Sequence, residues 1–295
     1  MRQETPDEEN NEYRALERTD EENEEFDMRC LSLGAGVQSS AMILMADRGD
    51  FGDVPEHGIF ADTQSEPPWV YEHLSWLESE IKHIKIHRVT AGSLENDVLK
   101  SRDGRSRFAS LPLRVQGSDG RDSMLRRQCT REYKIAPIEK KVRELLGLKP
   151  RQRAKGKFKV EQWIGISLDE VQRMKPNPNT WITNRWPLVF DKPMRRGEII
   201  DWFTRENFPV PQKSACTFCP FHDDRTWDDM QKNHPSEWSR AVTFDKAIRT
   251  GKLRGVNEEA FLHRSLKPLD EVEFNVDDPN QIDMFGNECE GMCGV

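Results

Sequence analysis

CLSLGAGVQSSAMILM, Cys30 to Met45, decides how the chain is read. The first residues form a short apolar run with strand character. Gly34, Ala35 and Gly36 let the backbone turn tightly and present amide hydrogens. Ser39 and Ser40 then open a run with helical spacing, expected over 38–48. A strand that leaves through a glycine turn into a helix N-terminus makes an anion site, because amides and the positive end of the helix dipole converge there. No Gly-Lys-Ser/Thr ending follows, so this is not a P-loop. Taken alone, the pattern also serves a plain strand-to-helix turn.

Reading outward, HGIFAD, His57 to Asp62, is a second strand, and PPWVYEHLSWLESEI, Pro67 to Ile81, a helix with proline early in its first turn. HIKIHRV, His83 to Val89, alternates as a third strand. Helices are expected over 131–147, 197–207 and 236–251, and another strand over 160–167. This order predicts an α/β fold: a Rossmann-like, doubly wound α/β/α sandwich with a mainly parallel sheet. In such sheets ligands lie beyond the carboxyl ends of the strands, so Asp62 and Thr63 join the loop at the expected ligand edge. Residues 101–123, rich in Gly, Ser and Arg, read as a loop.

The composition, 35% hydrophobic and 33% charged over 295 residues with eight Trp and fourteen Phe, suffices for a core. Trp69, Trp76 and Trp202 sit at helical spacing and read as core. No apolar run reaches the ~20 residues of a membrane helix, and the first residues are acidic, unlike a secretory signal. A cytoplasmic protein is expected. Residues 1–27 carry twelve acidic and three basic side chains, and 101–157 seventeen basic and six acidic. The head has little to bury and reads as disordered. The basic stretch suits a polyanion such as nucleic acid, or a solvated face. The expected organisation is an acidic head over 1–27, a nucleotide domain over 28–210, and a cysteine-containing C-terminal region over 211–295 that extends the fold as a metal-binding element.

Several segments together resemble the adenine nucleotide alpha-hydrolase (PP-loop) superfamily, and within it the phosphoadenosine phosphosulfate (PAPS) reductase group. The superfamily loop is Ser-Gly-Gly-x-Asp-Ser; here Gly34-Ala35-Gly36-Val37-Gln38-Ser39 stands in its place, with Gln38 where ATP-splitting members have Asp and sulfonucleotide reductases tend to have Gln. FADTQSEPPWVYEHL is similar to the Asp-Thr-Gly segment that lines the adenosine pocket. QCTREYKIAPIEK, Gln128 to Lys140, resembles the reductase stretch Cys-Cys-x-x-x-Lys-x-x-Pro, and WIGISLDEVQRM resembles Gly-x-Arg-x-x-Glu-Ser-x-x-Arg, matching at Gly165, Glu170 and Arg173 with Ser167 replacing an Arg. RWPLVFDKPMRRGEIIDWFTRENFPVP extends the likeness, which spans roughly residues 29–225. It implies a nucleotide-binding set of Ser32, Gly34, Ala35, Gly36, Gln38, Ser39, Asp62, Thr63 and Gly165. Arg131, Lys134 and Arg173 then face the substrate anion, alongside Arg126 and Arg127.

Six cysteines occur: Cys30, Cys129, Cys216, Cys219, Cys289 and Cys293. Cys30 lies in the apolar strand and reads as core. Cys216 and Cys219, spaced as CTFC, can grip one metal or cluster. Cys129 lies 87 residues upstream, near the interval at which adenylyl-sulfate reductases hold a four-iron, four-sulfur (4Fe-4S) cluster, with Gln128 where that group has another cysteine. The expected metal set is Cys129, Cys216, Cys219 and Cys293; the alternative is zinc on Cys216, Cys219, Cys289 and Cys293. Glu288-Cys289 resembles the catalytic tail of sulfonucleotide reductases, so Cys289 is either nucleophile or ligand. The histidines show no metal spacing; His222, beside Cys219, is the one to watch. Two activities stay open. One is thiol-dependent reduction of an adenosine phosphosulfate (APS or PAPS) to sulfite, with a thiol donor such as thioredoxin. The other is an ATP- and Mg2+-dependent sulfurtransferase that thiolates a nucleic acid, aided by the basic stretch.

Overall fold

A computed structural model describes residues 25–101, 111–117, 120–250, 253, 256 and 258–276. Its main sheet holds β1 (Met28–Leu33), β2 (His57–Asp62), β3 (Lys85–Thr90), β6 (Val160–Ile164) and β7 (Ile182–Arg185), in the order β3-β2-β1-β6-β7. Every pairing in it is parallel, with Leu31 beside Gly58 on one side and Trp163 on the other. β1 is the strand at which the winding reverses, and its carboxyl end opens into Gly34. That is the edge where a parallel sheet binds ligands.

Period-two alternation on β1 builds both layers. Leu31 and Leu33 face a core shared with α1 (Val37–Asp47), α2 (Pro68–Glu80) and α6 (Arg196–Arg205), including Val70, Leu74, Ile199, Trp202 and Phe203. Met28 and Cys30 face the other core, with Ile138 and Val142 of α4 (Ala136–Leu145). Trp202 is thus core as expected, and Trp69 and Trp76 pack against it half-buried. Residues 37–46 of α1 are all buried, so this helix is enclosed on every side. β3 starts at Lys85 because the Asp47 carboxylate at the end of α1 accepts the N–H groups of Lys82, His83 and Ile84 at 3.0, 2.6 and 3.1 Å, which holds those residues in a turn.

A second core lies beside the first. β4 (Arg114–Gln116) pairs antiparallel with β5 (Asp122–Met124) and β8 (Ala260–Phe261), and α3 (Leu94–Ser101), α7 (Asp224–Asn233) and α8 (Pro235–Thr250) pack with them. Phe218 stacks on Phe244 with centroids 3.9 Å apart, and Trp227 is fully buried. This core joins residues 94–133 to residues 218–269 across the main sheet's sequence. The stretch read as a loop over 101–123 therefore contains β4 and the start of β5: strands of three residues are too short for alternation to show. The helix expected over 131–147 begins as a π-helical turn, Thr130–Ile135, before α4. A short helix, α5 (Pro187–Phe190), and a 3-10 turn, Leu168–Arg173, complete the described elements named here. No helix among the described residues is long and apolar enough to cross a membrane.

Candidate functional site

The loop after β1 is shaped by its own side chains. Ala35 sits in the left-handed region at φ 57, the Gly34 N–H donates to Ser39 Oγ at 3.1 Å, and Ser214 Oγ donates to the Gly34 carbonyl. Gly36 is the extended N-cap of α1, and no side chain caps that helix. A buried helix start without a side-chain cap leaves amides and a positive dipole end for another partner, which an anion supplies well. Ser32 lies one strand turn back, and its buried Oγ has no hydrogen-bond partner among the described residues.

Gln38 is fully buried and works as a two-way clamp. Its Nε2 donates to Glu170 Oε2 at 2.8 Å and approaches Ser167 Oγ at 3.4 Å, while its Oε1 accepts from Arg196 Nη1 at 3.2 Å. Arg173 closes on the other Glu170 oxygen. A side-chain amide can donate to a carboxylate with its NH2 and accept from a guanidinium with its carbonyl oxygen, whereas a carboxylate at this position could only accept. An Asp here would set a second carboxylate against Glu170. The 3-10 turn after β6 brings Ser167 and Glu170 under α1, and Gly165, buried at the end of β6, leads into it.

At the end of β2, Asp62 Oδ1 accepts from the Gln64 N–H and from the Tyr71 hydroxyl, both at 2.7 Å. Burial, and next that bond, push the Tyr71 phenol well above its ordinary range. Thr63 is buried; its Oγ1 lies 3.3 Å from Glu66 Oε1 and 3.3 Å from Cys216 Sγ. Lys134 Nζ pairs with Glu66 Oε1 at 3.2 Å, with side chains 6% and 1% exposed. Glu66 Oε2 is buried with no hydrogen-bond partner among the described residues.

Cys129, Cys216 and Cys219 line one small cavity, of about 30 Å³, together with Thr63, Arg127 and Lys134. The π-helical turn delivers Cys129 and Lys134. The CTFC turn is held by the Cys219 N–H on the Cys216 carbonyl at 2.9 Å and by His222 Nε2 on the same oxygen at 3.0 Å. His222 is therefore a buried prop for the turn, its pKa lowered to about 3 first by burial and next by Lys213. Burial, and next Glu66, raise the Cys216 thiol well above its usual range, so this sulfur is a neutral thiol as it stands. Among the described residues no three His, Cys, Asp or Glu side chains are arranged to hold a metal ion. Cys289 and Cys293 lie outside the described residues. Cys30 is wholly enclosed, its thiol pushed up to about 12 mainly by burial, in keeping with a core residue.

The three cations expected on the anion each have a carboxylate: Lys134 on Glu66, Arg173 on Glu170, and Arg131 on Glu139 at 3.1 Å, the last on an exposed helix face. Arg127 lies over the Phe221 ring at 5.0 Å beside the thiols. Sequence reasoning missed Glu66, Tyr71, Arg196 and Ser214. Glu66 and Tyr71 lay inside the quoted FADTQSEPPWVY segment, but only the fold shows that they turn back on Thr63 and Asp62. The basic stretch over 101–157 is divided: Arg127 and Lys134 stand at the carboxyl edge of the sheet, whereas Lys149–Lys157 precede β6 at the amino edge.

Fold and site together define an α/β protein with a Rossmann-like parallel sheet, an anion-suited loop at its switch strand and three thiols beside it. No protein-family model and no curated protein matches the chain. Among solved structures, the phosphate complex of phosphoadenylyl-sulfate (PAPS) reductase from Candida auris matches at 15% identity, over 62% of this chain and 75% of that one, with a TM-score of 0.40.

Proposed function

We propose that the protein is a PAPS reductase-like, adenine nucleotide-binding enzyme that reduces an adenosine phosphosulfate to sulfite. The observation that carries this reading is the meeting of Cys129, Cys216 and Cys219 in one cavity with Lys134 and with Thr63, at the strand edge that also bears the anion loop. Adenosine lies toward Asp62 and Thr63, and the phosphosulfate toward the turn at Gly34–Ser39. Lys134, Arg173 and Arg131 neutralise the sulfo group as far as their carboxylate partners yield them. A thiolate, Cys289 by resemblance, attacks the sulfur; the bond from sulfur to the bridging phosphate oxygen breaks, and the nucleotide leaves with that electron pair. A second thiol then attacks the cysteine sulfur. It releases sulfite and leaves a disulfide for an external thiol donor such as thioredoxin to reduce.

The thiol set suits a soft metal centre. Cys129, Cys216 and Cys219 are the residues that would hold an iron–sulfur cluster or zinc, which would supply Lewis acidity beside the sulfo group. As they stand, the described thiols are not arranged to hold a metal ion, so either an ion or a cluster would require the CTFC turn to rearrange. The ATP-splitting alternative draws no support from the loop: Gln38 offers Mg2+ no carboxylate, and its amide is committed to Glu170 and Arg196.

The test is product analysis with anaerobically purified protein given APS, PAPS or ATP. Sulfite with AMP or adenosine bisphosphate is expected. AMP with pyrophosphate would show the sulfurtransferase instead, and no turnover of any nucleotide would leave a binding protein.

A further inference from the structure

The amino edge of the main sheet carries a feature that the nucleotide chemistry does not use. Lys149, Arg151, Arg153, Lys155, Lys157 and Lys159 fall at every second residue in a connection that contains no acidic residue. All six are exposed. The connection is nevertheless held in place. Leu148 and Ala154 are buried in the α4 core and Phe158 packs against it; the Lys149 N–H donates to Gln152 Oε1 at 3.0 Å, and Arg143 donates to the Gln152 carbonyl. Lys149, Arg151, Arg153, Lys155 and Lys157 make no ion pair among the described residues. Lys85, at the start of β3, and Lys141 add cations on the same edge; the acids near them are Glu144, paired with Lys141 at 2.7 Å, and Glu56, which accepts the Arg29 N–H. This edge stands about 20 Å, one strand length, from the anion loop.

The chain enters the fold at this same place. Asp27 N–H donates to the Lys159 carbonyl at 2.9 Å, and the Lys159 N–H donates back to Asp27 Oδ2 at 2.7 Å. Residues 1–24, which precede this clamp, contain ten acidic and three basic side chains. Twenty-four residues can span at most about 80 Å, so length does not keep them from the connection. An acidic tether fixed next to a cationic surface sees it at an effective concentration of order millimolar.

We propose that residues 1–24 dock in cis on the Lys149–Lys159 connection, and so mask a polyanion-binding surface at the amino edge of the sheet. The interaction is electrostatic and weak per contact, so it yields to salt and to a competing polyanion. With a millimolar effective concentration and an intrinsic dissociation constant of about 0.1 mM, the head would weaken a competitor about tenfold.

Carbodiimide cross-linking of the full chain tests this, because the reagent joins lysine amines to carboxylates at contact distance. Cross-links from Lys149, Lys155, Lys157 or Lys159 to the head are expected at about 0.1 M salt and lost at about 1 M, where the Debye length falls from about 10 to 3 Å. In a mixture of isotopically light and heavy protein they should stay within one molecule. Absence of head-to-connection links at low salt, or links only between molecules, would overturn the proposal. A second readout uses a single-stranded oligonucleotide as the competitor. The full-length variant Asp20→Asn/Glu21→Gln/Glu22→Gln/Glu24→Gln should bind it several-fold more tightly than the parent at about 0.1 M salt, approaching tenfold, and adding Lys155→Gln/Lys157→Gln should remove the gain. Equal behaviour of parent and head variant, within about twofold, would show that the head masks nothing.

Discussion

The two halves of the ligand edge are built on opposite terms. Around Gln38 the buried polar groups answer one another: amide to carboxylate, guanidinium to amide, guanidinium to carboxylate. A few residues away, around Cys216, the partners run short. Glu66 has one oxygen on Lys134 and Thr63 and another with no partner among the described residues, and the thiol is held neutral by burial. A satisfied network fixes geometry and resists change. A group left buried and unpaired is a standing cost that a guest relieves. The Gln38 network behind the loop is thus complete in the free protein, whereas the thiol cavity, like the uncapped start of α1, is a part that binding would complete.

Breaking the thiol half should cost most. Lys134→Met strands the Glu66 carboxylate in a site 1% exposed, and a loss of about 3–5 kcal/mol in urea unfolding is expected. Lys134→Met/Glu66→Gln should recover most of it; a double variant as unstable as the single one would show that the pair is not what the site rests on. On the same side, Cys129→Ala and Cys216→Ala should each abolish any bound iron and labile sulfide. A colourless parent with one zinc that survives Cys129→Ala would rule out the cluster.

On the loop half, Gln38→Asp places a carboxylate against Glu170 and should destabilise by roughly 2–4 kcal/mol at neutral pH. The new acid resists ionising in the fold, so its deficit should shrink as pH falls toward about 4, where the unfolded chain also carries it protonated. A deficit independent of pH would place the damage in packing instead.

His73 offers a finer probe of the α1 side. Burial lowers it from 6.5 to about 4, with Nε2 3.0 Å from Ser40 Oγ. Unfolded, it takes a proton near its ordinary value while the fold refuses one. Its contribution is therefore whole above about 6.5 and drains as pH falls toward 4, by roughly 2 kcal/mol between pH 7 and 5. His73→Gln should flatten that part of the stability curve; parallel curves would exclude His73 as its source. The smallest effect belongs to Arg131, half exposed on Glu139. Arg131→Gln should change stability by less than about 0.5 kcal/mol, and any larger change in nucleotide affinity would then report a contact with substrate.

Four strands of the main sheet were legible because they are five or six residues long and separated by helices with clear spacing; β7, with four residues, was not legible as a strand. β1, β2 and α2 fall within two residues of where their patterns placed them. β4, β5 and β8 were not legible. They run to three residues or fewer, and their partners lie far apart in sequence, as in the Arg114 to Phe261 pairing. The site divides in the same manner. Gly34 to Ser39, Asp62 and Thr63 announce themselves by position in a strand–turn–helix unit. Arg196 and Ser214 do not, because nothing local distinguishes a helix-start arginine that reaches back 158 positions to Gln38.

The π-helical turn at Thr130–Ile135 has a consequence for how this chain is compared with others. A π turn holds one residue more than the α-helical turn it replaces, and each residue of an α-helix advances the direction of its side chain by about 100°. Ile138 and Val142 fix the rotational phase of α4 against the sheet. The extra residue upstream then resets the phase of everything before it, and so sets where Cys129 meets the cavity. A counterpart one residue shorter in this turn, aligned on Ile138, would present at that point the residue in the column of Thr130 instead. Two chains with their cysteine one place apart would then put sulfur at the same point in space, and a gap-free alignment would score them as different.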